Sequence, residues 1–200
     1  GARNAYNVRK GYQEILIEPV LATRINLVPA IAAILFWDDS AAVWFSILGN
    51  DLTNFLDRAQ AVLTNFIGSM TAADRLYVGT LGRVGGFVVD VDTVNAVSAT
   101  LTAQASSETG WITLTLASDG TASGGATFAQ DGLITLTVPA LWAANTLKDL
   151  GVPGTPPDLP KMHWERYAVS ATLTAGATLK NLTGIGDIAP GVDDVAASSG

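Results

Sequence analysis

The chain has 200 residues, a formal net charge of −7 and no cysteine. This length supports one large domain with a substantial core, the acidic balance argues against nucleic acid as a partner, and the lack of cysteine excludes disulfides, thiolate nucleophiles and cysteine-ligated zinc. Charged residues make up 14% of the sequence, against about 25% in an average protein, so we expect a surface rich in Thr, Ser, Gly and Ala that neighbouring subunits cover.

The first 28 residues are predicted to form an arm that becomes ordered against another surface. Within this arm, residues 13–18 are predicted to form a strand that stops at Pro19. The arm also carries basic side chains that are candidates for contact with an acidic partner, the alternative being a solvated tail. These candidate interface residues are Arg3, Arg9 and Lys10.

Two apolar and aromatic runs lie on either side of Asp38, Asp39 and Ser40. This triplet is typical of a turn, so the sequence predicts a β-hairpin over residues 30–48. The two carboxylates interrupt the most apolar window of the chain, which argues against a membrane span. The aromatic side chains are candidates either for the core or for a partner interface, where Trp is enriched. They are Phe36, Trp37, Trp44 and Phe45.

The spacing of apolar residues changes to three and four positions over residues 51–67. This spacing predicts an amphipathic helix near residues 51–62, with Asp51 as its N-cap. The end of the helix is left open, because residues 63–67 also fit a strand that ends before Gly68.

Alternation of apolar and polar residues predicts most of the remaining chain as short strands. Two of these strands flank an excursion rich in Gly, Ser and Thr that carries two Asp-Gly pairs. Four prolines within residues 151–161 predict a loop. The predicted strands are 75–80, 84–90, 97–104, 111–116, 133–138, 164–173 and 178–185.

About eight to ten short strands separated by turn residues, with one helix, are typical of a mainly β protein. The sequence therefore predicts an antiparallel β-sandwich, jelly-roll-like, over residues 29–185. Residues 1–28 form the extended arm in this prediction, and residues 186–200 form a flexible tail.

The sequence gives little indication of a catalytic site. His163 is the single histidine, and no Gly-x-Ser-x-Gly motif surrounds a serine. The carboxylate pairs Asp90 with Asp92 and Asp38 with Asp39 fit solvated turns better than an acid/base pair or a calcium loop. We therefore predict a protein with no catalytic residues, no cofactor and no metal site, which is not an enzyme.

A series of short motifs over roughly residues 70–185 resembles the β-rich virion proteins of tailed bacteriophages. The resemblance implies a particle component without a cofactor, either an outer head (decoration or cement) protein or a tail-associated one. The motifs are Asp74-Arg-Leu-Tyr-Val-Gly-Thr80, Gly86-Phe-Val-Val-Asp90, Asp119-Gly-Thr, Phe128-x-x-Asp131-Gly-x-Ile-Thr, Pro139-x-x-Trp142 and Trp164-x-Arg166-x-x-Val169-Ser.

The leading hypothesis is thus a structural protein of the virion that acts through its interfaces with other virion proteins, the major capsid protein or tail proteins, and with further copies of itself. Neither nucleic acid nor a membrane is an expected partner. The alternative is a tail-associated or receptor- and carbohydrate-binding jelly-roll module, for which Trp111, Trp142 and Trp164 are candidate sugar platforms.

Overall fold

The structure is a computed structural model that describes residues 31–48 and 67–186, and this part of the chain contains strands and turns but no helix. Where apolar residues alternate with small polar ones, as over residues 101–107 and 132–137, a strand presents a different chemistry on its two faces. The strands are β1 (Ile31–Asp38), β2 (Val43–Leu48), β3 (Arg75–Thr80), β4 (Val84–Thr93), β5 (Leu101–Ser107), β6 (Gly110–Asp119), β7 (Gly132–Thr137), β8 (Ala144–Asn145), β9 (Met162–Val169) and β10 (Thr178–Gly186).

All ten strands belong to one sheet in which every pairing of strands is antiparallel. The strand order is β10-β4-β7-β6-β5-β9-β3-β1-β2, and β8 pairs with β9 outside this path. The sheet is curled into a half-barrel. The predicted mainly β, antiparallel fold class is therefore confirmed.

The sheet turns its corner at β6. The first half of β6 pairs with β5, ending at Leu114 opposite Ala103, whereas the second half, from Thr115, pairs with β7. A register shift between Leu116 and Ser118 marks the change of partner, and such a bulge increases the local bend of a strand. The corner divides the sheet into a β4 wing (β10, β4 and β7) and a β9 wing (β5, β9, β3, β1 and β2).

The two wings share one apolar core on the concave side of the sheet. Phe87 of β4 and Tyr167 of β9 meet edge to face with their ring centroids 6.3 Å apart, a favourable geometry for aromatic pairs. Burial of these side chains stabilises the curled sheet, because each wing covers the other. Further buried members of this inner core include Ile34, Phe36, Val78, Val89, Leu114, Ile134, Leu136 and Leu179.

The predicted hairpin over residues 30–48 is confirmed by the pairing of β1 with β2. The Asp38 carboxylate accepts hydrogen bonds from the Ser40 hydroxyl at 2.7 Å and the Ala41 backbone N–H at 3.0 Å. Both hydrogen bonds lower the pKa of Asp38, and the bond from Ala41 has the larger effect. A turn that uses Asp in this way is the reason the two apolar runs fold back on each other.

The predicted strand over residues 97–104 begins later, at Leu101. Asn95 is buried, and its side chain binds both the N–H and the carbonyl of Val97, at 3.0 and 2.8 Å. The same side chain accepts a hydrogen bond from the Thr174 backbone N–H at 3.0 Å. These bonds hold the chain before Leu101 in a loop, although its residues alternate as a strand does.

Three predicted elements lie outside the described residues. They are the arm over residues 1–28, with its strand at 13–18, the helix near residues 51–62, and the tail over residues 186–200 except for Gly186, which ends β10.

A carboxyl group lies inside the inner core. Glu165 is fully buried on β9, where its register partners are Val78 of β3 and Ala105 of β5. The Tyr167 hydroxyl donates a hydrogen bond to Oε2 of Glu165, while Oε1 has no partner among the described residues. Burial raises the pKa of Glu165 to about 8, against a smaller lowering by the Tyr167 hydrogen bond. The group is therefore a neutral carboxylic acid at pH 7.

This shift predicts a pH-dependent stability that substitution of Glu165 removes. Between its ordinary value of 4.5 and about 8, the folded state holds a proton that the unfolded state has released, so the free energy of unfolding falls as pH rises, by at most about 1.4 kcal/mol per pH unit. Glu165→Gln is neutral at every pH, and its urea-denaturation free energy is expected to fall less steeply across this window.

Glu108→Gln is the matched control, because Glu108 is exposed in the β5–β6 turn. It is expected to keep the slope of the parent protein. Burial lowers the pKa of the neighbouring His163, which gives a slope of opposite sign, but this slope is common to the parent and to both variants. Parallel stability curves for the parent and Glu165→Gln would contradict the assignment.

Candidate binding surface on the outer face of the β9 wing

Four aromatic rings lie side by side on the outer face of the β9 wing. They form an aromatic row of Trp37, Trp44, Tyr77 and Trp111, with successive ring centroids 5.3, 5.0 and 5.9 Å apart. Alternation along each strand directs these side chains away from the inner core, and strand pairing brings them together from β1, β2, β3 and β6. A row of this size requires a cover if it is to be removed from water.

The cover is the proline loop, residues 146–161, together with β8. Three indole N–H groups donate to backbone carbonyls of this segment: Trp44 to Pro153 at 3.0 Å, Trp111 to Leu150 at 3.1 Å and Trp164 to Asn145 at 3.0 Å. A proline-rich segment has few N–H groups with which to pair. Side-chain donors from the sheet therefore fix the loop in place and satisfy their own N–H groups.

A second apolar core lies between the sheet and the proline loop. Leu147 and Leu150 of the loop pack on Leu35, Trp37 and Tyr77, among other buried residues. The central strands of the wing are thus buried on both faces, which agrees with the nearly continuous apolar run of β1.

The predicted interface residues occupy different environments. Phe36 is 6% exposed in the inner core, and Trp37 is 4% exposed beneath the proline loop. Trp44 is half-buried beside Trp37, whereas Phe45 is 39% exposed on β2. Trp37 and Trp44 therefore come together, and Phe36 lies on the opposite face of β1. Arg3, Arg9 and Lys10 lie outside the described residues, and the interface role of all seven stays a prediction.

The candidate sugar platforms are mostly inaccessible. Trp142 and Trp164 are buried, and one face of the half-buried Trp111 is covered by the Arg166 guanidinium, 4.5 Å from the ring centroid. His163 lies edge to face with Trp142 at 6.0 Å, and burial, with a smaller effect of the Arg83 charge, lowers its pKa.

An open groove of about 290 Å³ adjoins the aromatic row. We name it the arginine groove, because two guanidinium groups line it in an otherwise acidic protein. Its lining side chains come from β3, β5, β6 and β9, which are neighbours only through the strand order of the half-barrel. They include Arg75, Thr102, Gln104, Thr113, Arg166 and Ala168.

Both arginines are held in defined positions. Arg166 donates from Nε to the side-chain oxygen of Gln104 at 2.7 Å and lies over the ring of Trp111. Arg75 donates from Nη1 to the carbonyls of Ala72 and Asp74, at 2.7 and 2.6 Å. Burial lowers the pKa of Arg166; the Tyr77 hydroxyl opposes this effect and the Arg75 charge adds to it. Arg166 still carries its charge at neutral pH.

Sequence reasoning did not identify this groove. Alternation along β9 places Trp164 and Arg166 on one face, and this signal was available. The supports of Arg166, however, are Gln104 on β5 and Trp111 on β6, and nothing local in the sequence indicates that these strands follow β9 in the sheet.

No protein-family model, no curated protein and no solved structure matches this chain. Among residues 31–48 and 67–186, no group of three or more His, Asp or Glu side chains is arranged to hold a metal ion. The same residues include no helix with the length and hydropathy to cross a membrane.

Because the proline loop rests on the aromatic row, one methyl group added to the loop at Gly154 is expected to destabilise the fold. Gly154 has a φ of +65°, and a Cβ there would lie 2.8 Å from Cζ3 and 2.9 Å from Cη2 of Trp37. Gly154→Ala is expected to lower the free energy of unfolding by about 1 kcal/mol through backbone strain and by a further 1–3 kcal/mol, roughly, through overpacking, with a change in Trp fluorescence.

Gly151→Ala is the control that separates backbone strain from overpacking. Gly151 lies in the same loop with a φ of +61°, but a Cβ there meets no atom within 4 Å. It is expected to show the backbone strain alone and an unchanged fluorescence spectrum. Equal losses in urea denaturation for the two variants would show that the loop does not rest on Trp37.

Proposed function

We propose that this protein is a non-enzymatic structural component of a phage particle, an outer head decoration or cement protein that binds and stabilises neighbouring capsid subunits in the virion. The resemblance of residues 70–185 to virion proteins of tailed bacteriophages supports this proposal. The low fraction of charged residues, 14%, supports it as well, since surfaces that subunits cover carry few charges.

The observation that carries the proposal is an apolar pair on the outer face of the β4 wing. Val88 of β4 and Leu133 of β7 are directly opposite each other, and they are 42% and 41% exposed. Their neighbours on this face are hydroxyls and carboxylates: Thr183 pairs with Val88, Thr135 is bound to Ser118 at 2.7 Å, and Asp90 and Asp131 lie two positions along the strands from Val88 and Leu133. An exposed apolar centre with a polar rim fits contact with another protein.

The arrangement of the two wings is also part of this proposal. We infer that the two wings act as the two layers of a jelly-roll-like sandwich, supported by the contact of Phe87 with Tyr167 across the shared core. The N-terminal arm, with Arg3, Arg9 and Lys10, is then a second attachment point to neighbouring subunits. Other copies of this chain and major capsid or tail proteins are the proposed partners, without nucleic acid, membrane or cofactor.

The carbohydrate-binding alternative has less support. Two of its three candidate rings, Trp142 and Trp164, are buried. In the tail-associated alternative, the same surfaces contact tail proteins in place of the major capsid protein. Electron microscopy of particles labelled with antibody against this chain distinguishes head from tail.

Charge placed on the apolar pair is expected to weaken assembly. Across a dilution series, light scattering after size exclusion should show self-association of the parent chain. Val88→Asp combined with Leu133→Asp should weaken it at least about tenfold, because each carboxylate must lose water in the contact.

Leu81→Asp is the matched control, because Leu81 is 66% exposed in the turn between β3 and β4. It is expected to assemble as the parent does. A parent chain that stays monomeric throughout the series, or a double variant that assembles equally well, would contradict the proposed role of this face.

A further inference from the structure

We propose that the arginine groove is a binding site for a single carboxylate presented by an acidic segment of a partner protein, with Arg166 as the anchor and Arg75 as the second cationic contact. This site lies on the outer face of the β9 wing, apart from the Val88 and Leu133 pair. It does not depend on the identity of the particle or on the proposed function.

The orientation of Arg166 is fixed before any ligand arrives. Trp111 supports one face of the guanidinium, and Gln104 accepts from its Nε. The Tyr77 hydroxyl lies close enough to interact with the guanidinium, and in the described part of the chain no carboxylate forms an ion pair with Arg166. A planar guanidinium without a carboxylate partner matches the two oxygens of a carboxylate, and its immobilisation reduces the entropy lost on binding.

The second cation reinforces the first. Arg75 is tied down through Nη1 to the carbonyls of Ala72 and Asp74. Its charge is close enough to Arg166 to contribute to the lowered pKa of that guanidinium. Two like charges held near each other repel, and a bound anion relieves the repulsion.

The remaining lining fits a small, planar anion. The Thr113 hydroxyl is exposed in the groove and has no hydrogen-bond partner among the described residues. The volume of about 290 Å³ lies at the lower end of the range for ligand sites, which begins near 300 Å³. The groove therefore suits one acidic side chain. A polyanion is disfavoured by the net charge of −7.

The test uses the whole chain and two tripeptides that differ in one group, N-acetyl-Gly-Asp-Gly-amide and N-acetyl-Gly-Asn-Gly-amide. NMR follows the Nε–H signal of Arg166, assigned by its loss in Arg166→Gln, and the indole N–H signal of Trp111. The Asp peptide is expected to give saturable shifts of both signals, and the Asn peptide none. Absence of saturable shifts with the Asp peptide overturns the proposal.

Substitutions show whether the binding belongs to this groove. With the Trp111 indole signal as the readout, Arg166→Gln is expected to weaken binding of the Asp peptide at least tenfold, and Arg75→Gln several-fold. Lys180→Gln removes an exposed charge from β10, on the other wing, and is expected to leave the affinity unchanged. Equal affinity for the parent and Arg166→Gln, or equal losses at all three positions, overturns the proposal.

Two further measurements define the ligand and guard against misfolding. Arg166→Lys keeps the charge without the planar fork and is expected to bind several-fold more weakly; full affinity would overturn the bidentate contact. If Arg166→Gln does not fold, Arg75→Gln and Arg166→Lys decide the outcome. Inorganic phosphate is the competing anion, and tighter binding of phosphate than of the Asp peptide would replace the carboxylate assignment by a phosphate site.

Discussion

Three hydrogen bonds from tryptophan N–H groups to β8 and the proline loop hold together the outer half of this protein. The proline loop has few N–H donors of its own, so its carbonyls at Leu150 and Pro153 accept from the side chains of Trp111 and Trp44, and the carbonyl of Asn145 in the adjoining β8 accepts from Trp164. Their bonds place Leu147 and Leu150 over the sheet and complete the second apolar core. Without them, the aromatic row would face water.

The same interactions determine where the cover ends and where the arginine groove begins. Trp111 takes part in both, since its Nε1 binds the carbonyl of Leu150 while its ring face supports Arg166. On the other wing, Val88 and Leu133 have no such cover among the described residues and remain exposed. One curled sheet thus presents two chemically different surfaces, one cationic and one apolar.

Local chemistry was sufficient to predict the first hairpin and the strands other than β8. Asp38 supplies its own turn hydrogen bonds, and alternation identified β6 and β7 to within a few residues of their bounds. Alternation placed the start of β5 too early, because the buried side chain of Asn95 binds the backbone of Val97 and holds the residues before Leu101 in a loop. That side chain is fixed through contact with Thr174, far along the chain, which no local pattern shows.

The sequence by itself determined the class of the fold, the approximate positions of most strands in the described residues, and the loop character of the proline-rich segment, because alternation and turn residues act over a few positions. Only the tertiary structure decided that β3 and β4, consecutive in the chain, lie in different wings, and that Trp44 binds Pro153 across 109 positions. It also decided that Arg75 and Arg166 share a groove. Strand order depends on which apolar faces cover one another, and that is a property of the whole chain.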